Sequence, residues 1–248
     1  MDVERLASRA RQNDASDGFG PKRLVAMGYD KIAEEYLARY GSSSVRDRWL
    51  SQLVMLVAPR VRARILDLGC GAGIPLTRHL TLLGHYVLGV DASARQIALA
   101  RRNAPLADFI HADMTTIDVP AASFDAVAAF YSITHMPRRE HAGLFKQIAE
   151  WLRPGGVLVG SLGAAALPDW QGEWMGTEMF FSHYDADTYI VLLREAGFAI
   201  ERMEQLDQDN EVTRFLWTVA RRPTAPARAG RLRRTERSEL RGIYSNSR

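Results

Sequence analysis

The stretch ILDLGCGAGIPLT, residues 65–77, decides the fold: four strand-like residues run into three glycines within five positions, Gly69, Gly71 and Gly73. Glycine at that density marks backbone that bends sharply or lies too close to something for a β-carbon to fit. Pro75 stands near the head of the helix that follows, where a missing N–H costs little, and Gly84 closes it. In doubly wound α/β folds the end of the first strand, its loop and the next helix start form a ligand crevice.

The same alternation continues downstream. Tyr86–Val90 reads as a second strand, and Ser93 and Gln96 have the spacing of a capping box that opens a helix to about Arg102. Phe109–Ala112 and Phe124–Tyr131 read as the third and fourth strands. A helical stripe of Leu144, Ile148, Trp151 and Leu152 stops at Pro154-Gly155-Gly156, and Val157–Leu162 is the fifth strand. Asp187–Glu195 is helical, and Ala199–Leu206 and Arg214–Ala220 are the last strands, separated by a polar turn at Asp207–Asn210. Upstream, residues 24–57 are a helical preface split by Gly41-Ser42-Ser43-Ser44. Strands alternating with helices imply a doubly wound, mostly parallel sheet covered on both faces.

A chain of 248 residues with 47% hydrophobic and 25% charged positions is long enough for one large domain. It contains no run of about 18 apolar residues, and its first twenty residues are polar, so we expect a cytoplasmic protein that does not enter the membrane. Residues 1–20 read as a disordered N-terminus, 21–222 as the domain and 223–248 as a basic disordered tail. The tail carries seven arginines against two glutamates, a balance of +5, whereas the whole chain is only +3 and the body is therefore −2. Such a body offers no basic surface for nucleic acid. The single cysteine, Cys70, forms no internal disulfide and reads as a small residue in a tight loop, and we expect no metal site.

The glycine corner departs from the nicotinamide fingerprint, which weakens that reading. Gly69 and Gly71 match the dinucleotide pattern, but Ile74 stands where it needs Gly or Ala, and no Gly-Lys-Ser/Thr follows for a phosphate loop. Asp91 ends the second strand 24 residues after Asp67, near the roughly 20-residue offset of a ribose-binding carboxylate. Asp113 ends the third strand. Three strands thus deliver a carboxylate to one sheet edge, which suits a nucleoside with hydroxyls, amines or positive charge and no phosphate chain.

With these residues in view, positions 65–162 resemble a class I S-adenosylmethionine-dependent methyltransferase of the small-molecule type. The likeness rests on five ordered motifs, ILDLGCGAG, VLGVDAS, HADM, FDAVAAFYSITHM and LRPGGVLVG, and extends over about 24–222. It implies a Rossmann-like seven-stranded sheet with its last strand antiparallel and an N-terminal helical lid over 24–57. It also implies Gly69, Gly71 and Gly73 against the cofactor S-adenosylmethionine, Asp91 on its ribose, Ala92 and Gln96 near its adenine, and Asp113 with Met114 at the adenine's edge. Asp67 and Phe130 would lie near the methionine end. The segment GYDKIAEEY is similar to the family's lid, where Tyr29 and Tyr36 would approach the methionine carboxylate; a helix face packed on the sheet is the alternative for both.

Transfer to a hydroxyl needs a proton acceptor, and histidine is the natural one near neutral pH. His135, after the fourth strand, and His183, beyond the fifth, are the candidate catalytic residues. The segment 167–185 concentrates Trp170, Trp174, Met175, Met179, Phe180, Phe181 and Tyr184, either as apolar walls for a hydrophobic acceptor or as a cover packed on the sheet. The place after the fourth strand reads Phe130-Tyr131-Ser132-Ile133, unlike the Asn/Asp-Pro-Pro-aromatic stretch of amino-methyltransferases acting on DNA bases. The expected activity is methyl transfer to oxygen or nitrogen of a small hydrophobic metabolite. The alternatives are a module that binds S-adenosylmethionine without transferring methyl, a repurposed enzyme, and a nicotinamide-dependent oxidoreductase. Oligomeric state is not legible.

Overall fold

A computed structural model describes residues 20–209 and 213–224. The expected loose N-terminus through residue 19 and the basic tail from residue 225 lie outside them, as does the tip of the 207–210 turn. Two helices come first: α1, Pro21–Tyr40, with proline in its first turn, and α2, Ser44–Val57, capped by Ser43 Oγ accepting the Arg46 N–H at 3.2 Å. Then follow β1, Arg64–Leu68; α3, Leu76–Leu82; β2, Tyr86–Asp91; α4, Ala94–Asn103; β3, Asp108–His111; and β4, Phe124–Ala129. The rest is α5, Arg138–Trp151; β5, Leu152–Gly163; β6, Leu167–Trp174; β7, Thr177–His183; α6, Ala186–Glu195; β8, Ala199–Asp207; and β9, Arg214–Arg221.

Seven strands make one sheet in the order β3-β2-β1-β4-β5-β9-β8. Pairs among β1 to β5 are parallel, and β9 is antiparallel to both of its neighbours. The chain builds outward from β1 in one direction and then crosses back to β4, so the order reverses between β1 and β4. Such a switch point leaves a crevice at the carboxyl ends of the strands. This is the seven-stranded, doubly wound sheet expected from the sequence.

Period-two alternation sorts the two cores. Leu66, Leu68, Val90 and Val127 face one layer with Phe145, Ile148 and Tyr189 of α5 and α6. Ile65, Val87, Ala126 and Val159 face the other with Leu53 of α2 and Leu80 of α3. There Trp49 stacks on Trp217 with ring centroids 5.4 Å apart. No helix among the described residues is long and apolar enough to cross a membrane.

Three elements differ from the sequence reading. Segment 167–185, assigned no strands from the sequence, is for its larger part the hairpin β6–β7, a separate two-stranded sheet. The hairpin packs on α1 through Val25, Ile32, Met179 and Phe180. Gly28 permits that approach, because a Cβ there would sit 2.9 Å from the Met179 side chain. Strand β4 stops at Ala129, two residues early, because Tyr131 turns to φ 57° and donates its N–H to Ser161 Oγ at 2.6 Å. Pro154-Gly155-Gly156 lies inside β5, whose pairing with β4 shifts between Phe124 and Ala126 to absorb it, and Leu152 opens that strand instead of closing α5.

Candidate active site

The crevice at the switch point has an open volume of about 710 Å³. Its floor is built by backbone. Asp91, at the end of β2, accepts the Gly71 N–H on Oδ2 and the Ser93 N–H on Oδ1, both at 2.9 Å. Burial raises its pKa, and those two hydrogen bonds oppose the rise. Because Asp91 takes the Ser93 N–H, the expected capping box is only half formed: Ser93 Oγ accepts the Gln96 N–H at 3.1 Å, but Gln96 does not reach back. Its Oε1 is left buried and without a partner at the crevice wall. Gly69 and Gly71 line the same wall, and a Cβ on Gly71 would meet only Gln96 Oε1, at 3.9 Å.

Of the residues singled out from sequence, Tyr29, Tyr36, Gly69, Gly71, Asp91, Ala92, Gln96, Asp113, Met114, Phe130 and His135 line this crevice together. Gly73, Asp67 and His183 do not. Gly73 has φ +75°, and a Cβ there would lie 3.1 Å from the Ala100 backbone, so its part is to seat the loop on α4. Asp67 is buried beneath the loop, where Thr77 Oγ1 donates to it at 2.6 Å. Burial pushes its pKa to about 7. Asp67 opens instead into an adjoining recess of about 560 Å³, with Arg46, Tyr36, Tyr131, Gly69 and Gln96. His183 hydrogen-bonds Ala165 O at the base of the hairpin, on the rim of a third compartment.

That compartment, about 910 Å³, is lined by Tyr40, Trp170, Trp174, Phe181 and Phe215 and shares Tyr29, Tyr36, Tyr131 and His135 with the crevice. Trp174 stacks on Tyr40 with centroids 5.9 Å apart. At the shared seam, His135 Nδ1 lies 3.1 Å from Phe180 O. A carbonyl only accepts, so Nδ1 carries the proton and Nε2 holds the lone pair, which receives the Tyr29 hydroxyl at 2.9 Å. Burial lowers the His135 pKa to about 4 and raises that of Tyr29 well above its ordinary value, so both are neutral at pH 7.

Sequence reading missed Lys22, Arg46, Tyr40 and Tyr131. Lys22 Nζ, in the first turn of α1, sits 2.5 Å from Asp113 Oδ2, 2.8 Å from Glu140 Oε2 and 3.0 Å from Thr115 Oγ1. A second anchor holds α1 at the neighbouring strand end, where Asp30 Oδ1 accepts Ser93 Oγ–H at 2.6 Å and the Arg95 N–H at 2.9 Å. A cationic start and a mid-helix carboxylate were the available signals, but their partners are more than 60 residues away.

A family model described as a methyltransferase domain matches residues 65–156. The 27-O-demethylrifamycin SV methyltransferase of Amycolatopsis mediterranei (strain S699) is 34% identical over 224 residues, covering 79% of this chain and 80% of that one. Among solved structures, the 1,6-didemethyltoxoflavin-N1-methyltransferase of Burkholderia thailandensis, with 1,6-didemethyltoxoflavin and S-adenosylhomocysteine bound, aligns at a TM-score of 0.67 and 18% identity, over 84% of this chain and 92% of that one. The [4+2]-cyclase SpnF aligns at 0.64 and 19%, over 82% and 97%. Those two likenesses are of fold. The relative at 34% identity spans four-fifths of both sequences, and by that measure the chain belongs to the class I S-adenosylmethionine-dependent methyltransferases.

Proposed function

We propose that this chain methylates an oxygen or nitrogen of a small hydrophobic metabolite, as in natural-product metabolism, with the acceptor in the aromatic compartment and the cofactor in the strand-end crevice. The observation that carries this reading is the shared wall. Tyr29, Tyr36, Tyr131 and His135 border both compartments, so ligands in the two would meet there. The relative named for a rifamycin methyltransferase supports a metabolite acceptor.

The crevice fits an adenosyl group. Gln96 Oε1 lacks a hydrogen-bond donor that an adenine could supply, the space beside Gly71 is open, and Asp91 lines the crevice. In this assignment Asp91 takes the ribose hydroxyls, Ala92 and Gln96 border the adenine, Asp113 and Met114 its edge, and Phe130 the methionine end with Asp67 behind it. The bound cofactor supplies a methyl electrophile on a sulfonium. The protein's tasks are to hold the nucleophile in line and to exclude water. Trp174, Tyr40 and Phe181 desolvate the acceptor, and His135 Nε2, the lone pair at the seam, takes the proton of an acceptor hydroxyl that displaces the Tyr29 hydroxyl. His183, on the rim, contacts the acceptor's outer part.

The test is turnover of methyl-labelled cofactor with a panel of hydrophobic hydroxyl and amine compounds and with metabolite extract. A product heavier by one methylene is expected, as is loss of turnover in His135→Ala with S-adenosylhomocysteine affinity kept. Tight binding of S-adenosylhomocysteine without transfer to any acceptor would instead make the chain a binding module.

A further inference from the structure

The Phe180 carbonyl decides which nitrogen of His135 keeps a lone pair. The Tyr29 hydroxyl at Nε2 can donate or accept, so it fits either tautomer; a carbonyl only accepts, and Phe180 O therefore selects the ring with its proton on Nδ1. Phe180 belongs to β7, in a two-stranded sheet that shares no ladder with the main one, and a hairpin by itself is marginally stable at best. Apolar packing on α1 covers the hairpin, but such contacts are non-directional and do not aim a carbonyl.

A directional hold comes from Ser182, fully buried and two residues beyond Phe180 on the same strand. Ser182 Oγ accepts the Arg138 N–H at 3.1 Å and donates to Asp169 Oδ1 of β6 at 2.7 Å. Arg138 opens α5, where the cap position is Pro137, a residue with no side-chain oxygen, and the first N–H groups of a helix have no partner within it. The hairpin thus supplies the cap that the local chain lacks. Asp169 also lies 3.5 Å from the Arg139 guanidinium, and its charge stands at the helix N-terminus, where the dipole favours it. Phe180 and Ser182 on one side, His135 and Arg138 on the other, are so close along the chain that the two bonds hold or loosen together. We propose that Ser182 is a positioning residue: by capping α5 from the hairpin it keeps the Phe180 carbonyl on His135 Nδ1 and so sets the tautomer whose lone pair is on Nε2. The catalytic use of that tautomer rests on the role of His135 proposed above; the tautomer itself does not.

The test is long-range proton–nitrogen NMR on the full chain with isotope-labelled histidine, the His135 signal being the one lost in His135→Gln. Wild type should show Nδ1 protonated and Nε2 bare. Ser182→Ala should lower the ratio of the Nδ1–H to the Nε2–H form roughly tenfold, because the carbonyl that penalised the second form is no longer held on the ring. Arg138→Pro breaks the same bond from its other side, since proline is accepted at the first position of a helix but lacks the N–H, and it should shift the ratio the same way even if Ser182→Ala fails to fold. Tyr189→Phe removes a different buried hydroxyl, bonded to His141 at 3.0 Å, and as the control for general loosening it should leave the ratio at the wild-type value. A wild-type ring protonated on Nε2, a ratio unmoved by loss of the cap, or an equal fall in Tyr189→Phe overturns the proposal. Turnover with the hydroxyl compounds separates the reading beneath it: a tautomer that shifts while turnover holds upholds Ser182 and removes His135 as the base.

Discussion

The floor of the crevice and its roof are held by different kinds of contact. On the floor, Asp91 is fixed by two backbone N–H groups donated within 20 residues along the chain, and the glycine loop by N–H bonds from Gly69 and Cys70 to Val90 O at 2.8 and 3.0 Å. In the roof, α1 meets the floor through its side chains at Lys22 on Asp113, Asp30 on Ser93 and Tyr29 on His135, and Trp174 of the hairpin stacks on Tyr40 of α1 within the roof itself. Backbone bonds preserve geometry whatever the neighbouring side chains, so the floor suits the ligand common to a family. Side-chain contacts change with each substitution, so under the function proposed above the roof is the part that would set acceptor choice.

The largest effect that can break this contrast is on the floor. Asp91→Ala should weaken S-adenosylhomocysteine by about 2–3 kcal/mol, roughly a hundredfold, by loss of a charge-assisted acceptor for ribose hydroxyls. The acceptor KM at saturating cofactor should stay within a few-fold; an equal rise in both constants would mean that the compartments are not separate. Next in size is the converse in the roof. Trp174→Ala should raise the acceptor KM roughly tenfold while leaving calorimetric cofactor affinity near wild type, since the ring stacks on Tyr40 and Phe181 rather than on the strand ends.

Asp67 sharpens the comparison through pH. Its pKa is about 7 in the folded protein against 3.8 for an ordinary aspartate, so the folded state holds a proton that the unfolded state has released across that window. Free-protein stability from this group therefore falls as pH rises from about 4 to 7. Asp67→Asn should raise the melting temperature of the ligand-free protein at pH 8 and have little effect at pH 4, and thermal scans at the two values check it. His135, with its pKa near 4, should contribute no protonation limb to kcat between pH 5 and 8. The smallest effect is at the latch. Lys22→Met should speed S-adenosylhomocysteine release a few-fold in stopped-flow tryptophan fluorescence and flatten its salt dependence, because the ion pair with Asp113 and Glu140 is partly exposed.

Much of the floor was legible because its signals are local. Ser93 caps α4 three residues ahead of Gln96, and Asp91 follows directly on an apolar strand. Even there, Gln96 and Gly73 show the limit. Spacing alone does not tell that Asp91 outcompetes Gln96 for the Ser93 N–H, or that Gly73 faces Ala100 rather than the crevice. The hairpin escaped because Gly172 and the turn at Met175-Gly176 lie among aromatic residues that fit either a strand or an irregular wall.

By itself the sequence determined the succession of strands and helices along the chain, the glycine corner, and Asp91 and Asp113 at the ends of their strands, because hydrophobic period and Gly/Pro punctuation act over a few residues. Only the tertiary structure decided which nitrogen of His135 carries the lone pair, that Arg46 and Tyr131 share one recess, and that Lys22 ties the first turn of α1 to Asp113 and Glu140. Those depend on groups 45 to 118 residues apart being brought within hydrogen-bond reach or into one cavity by packing, and no local pattern encodes that.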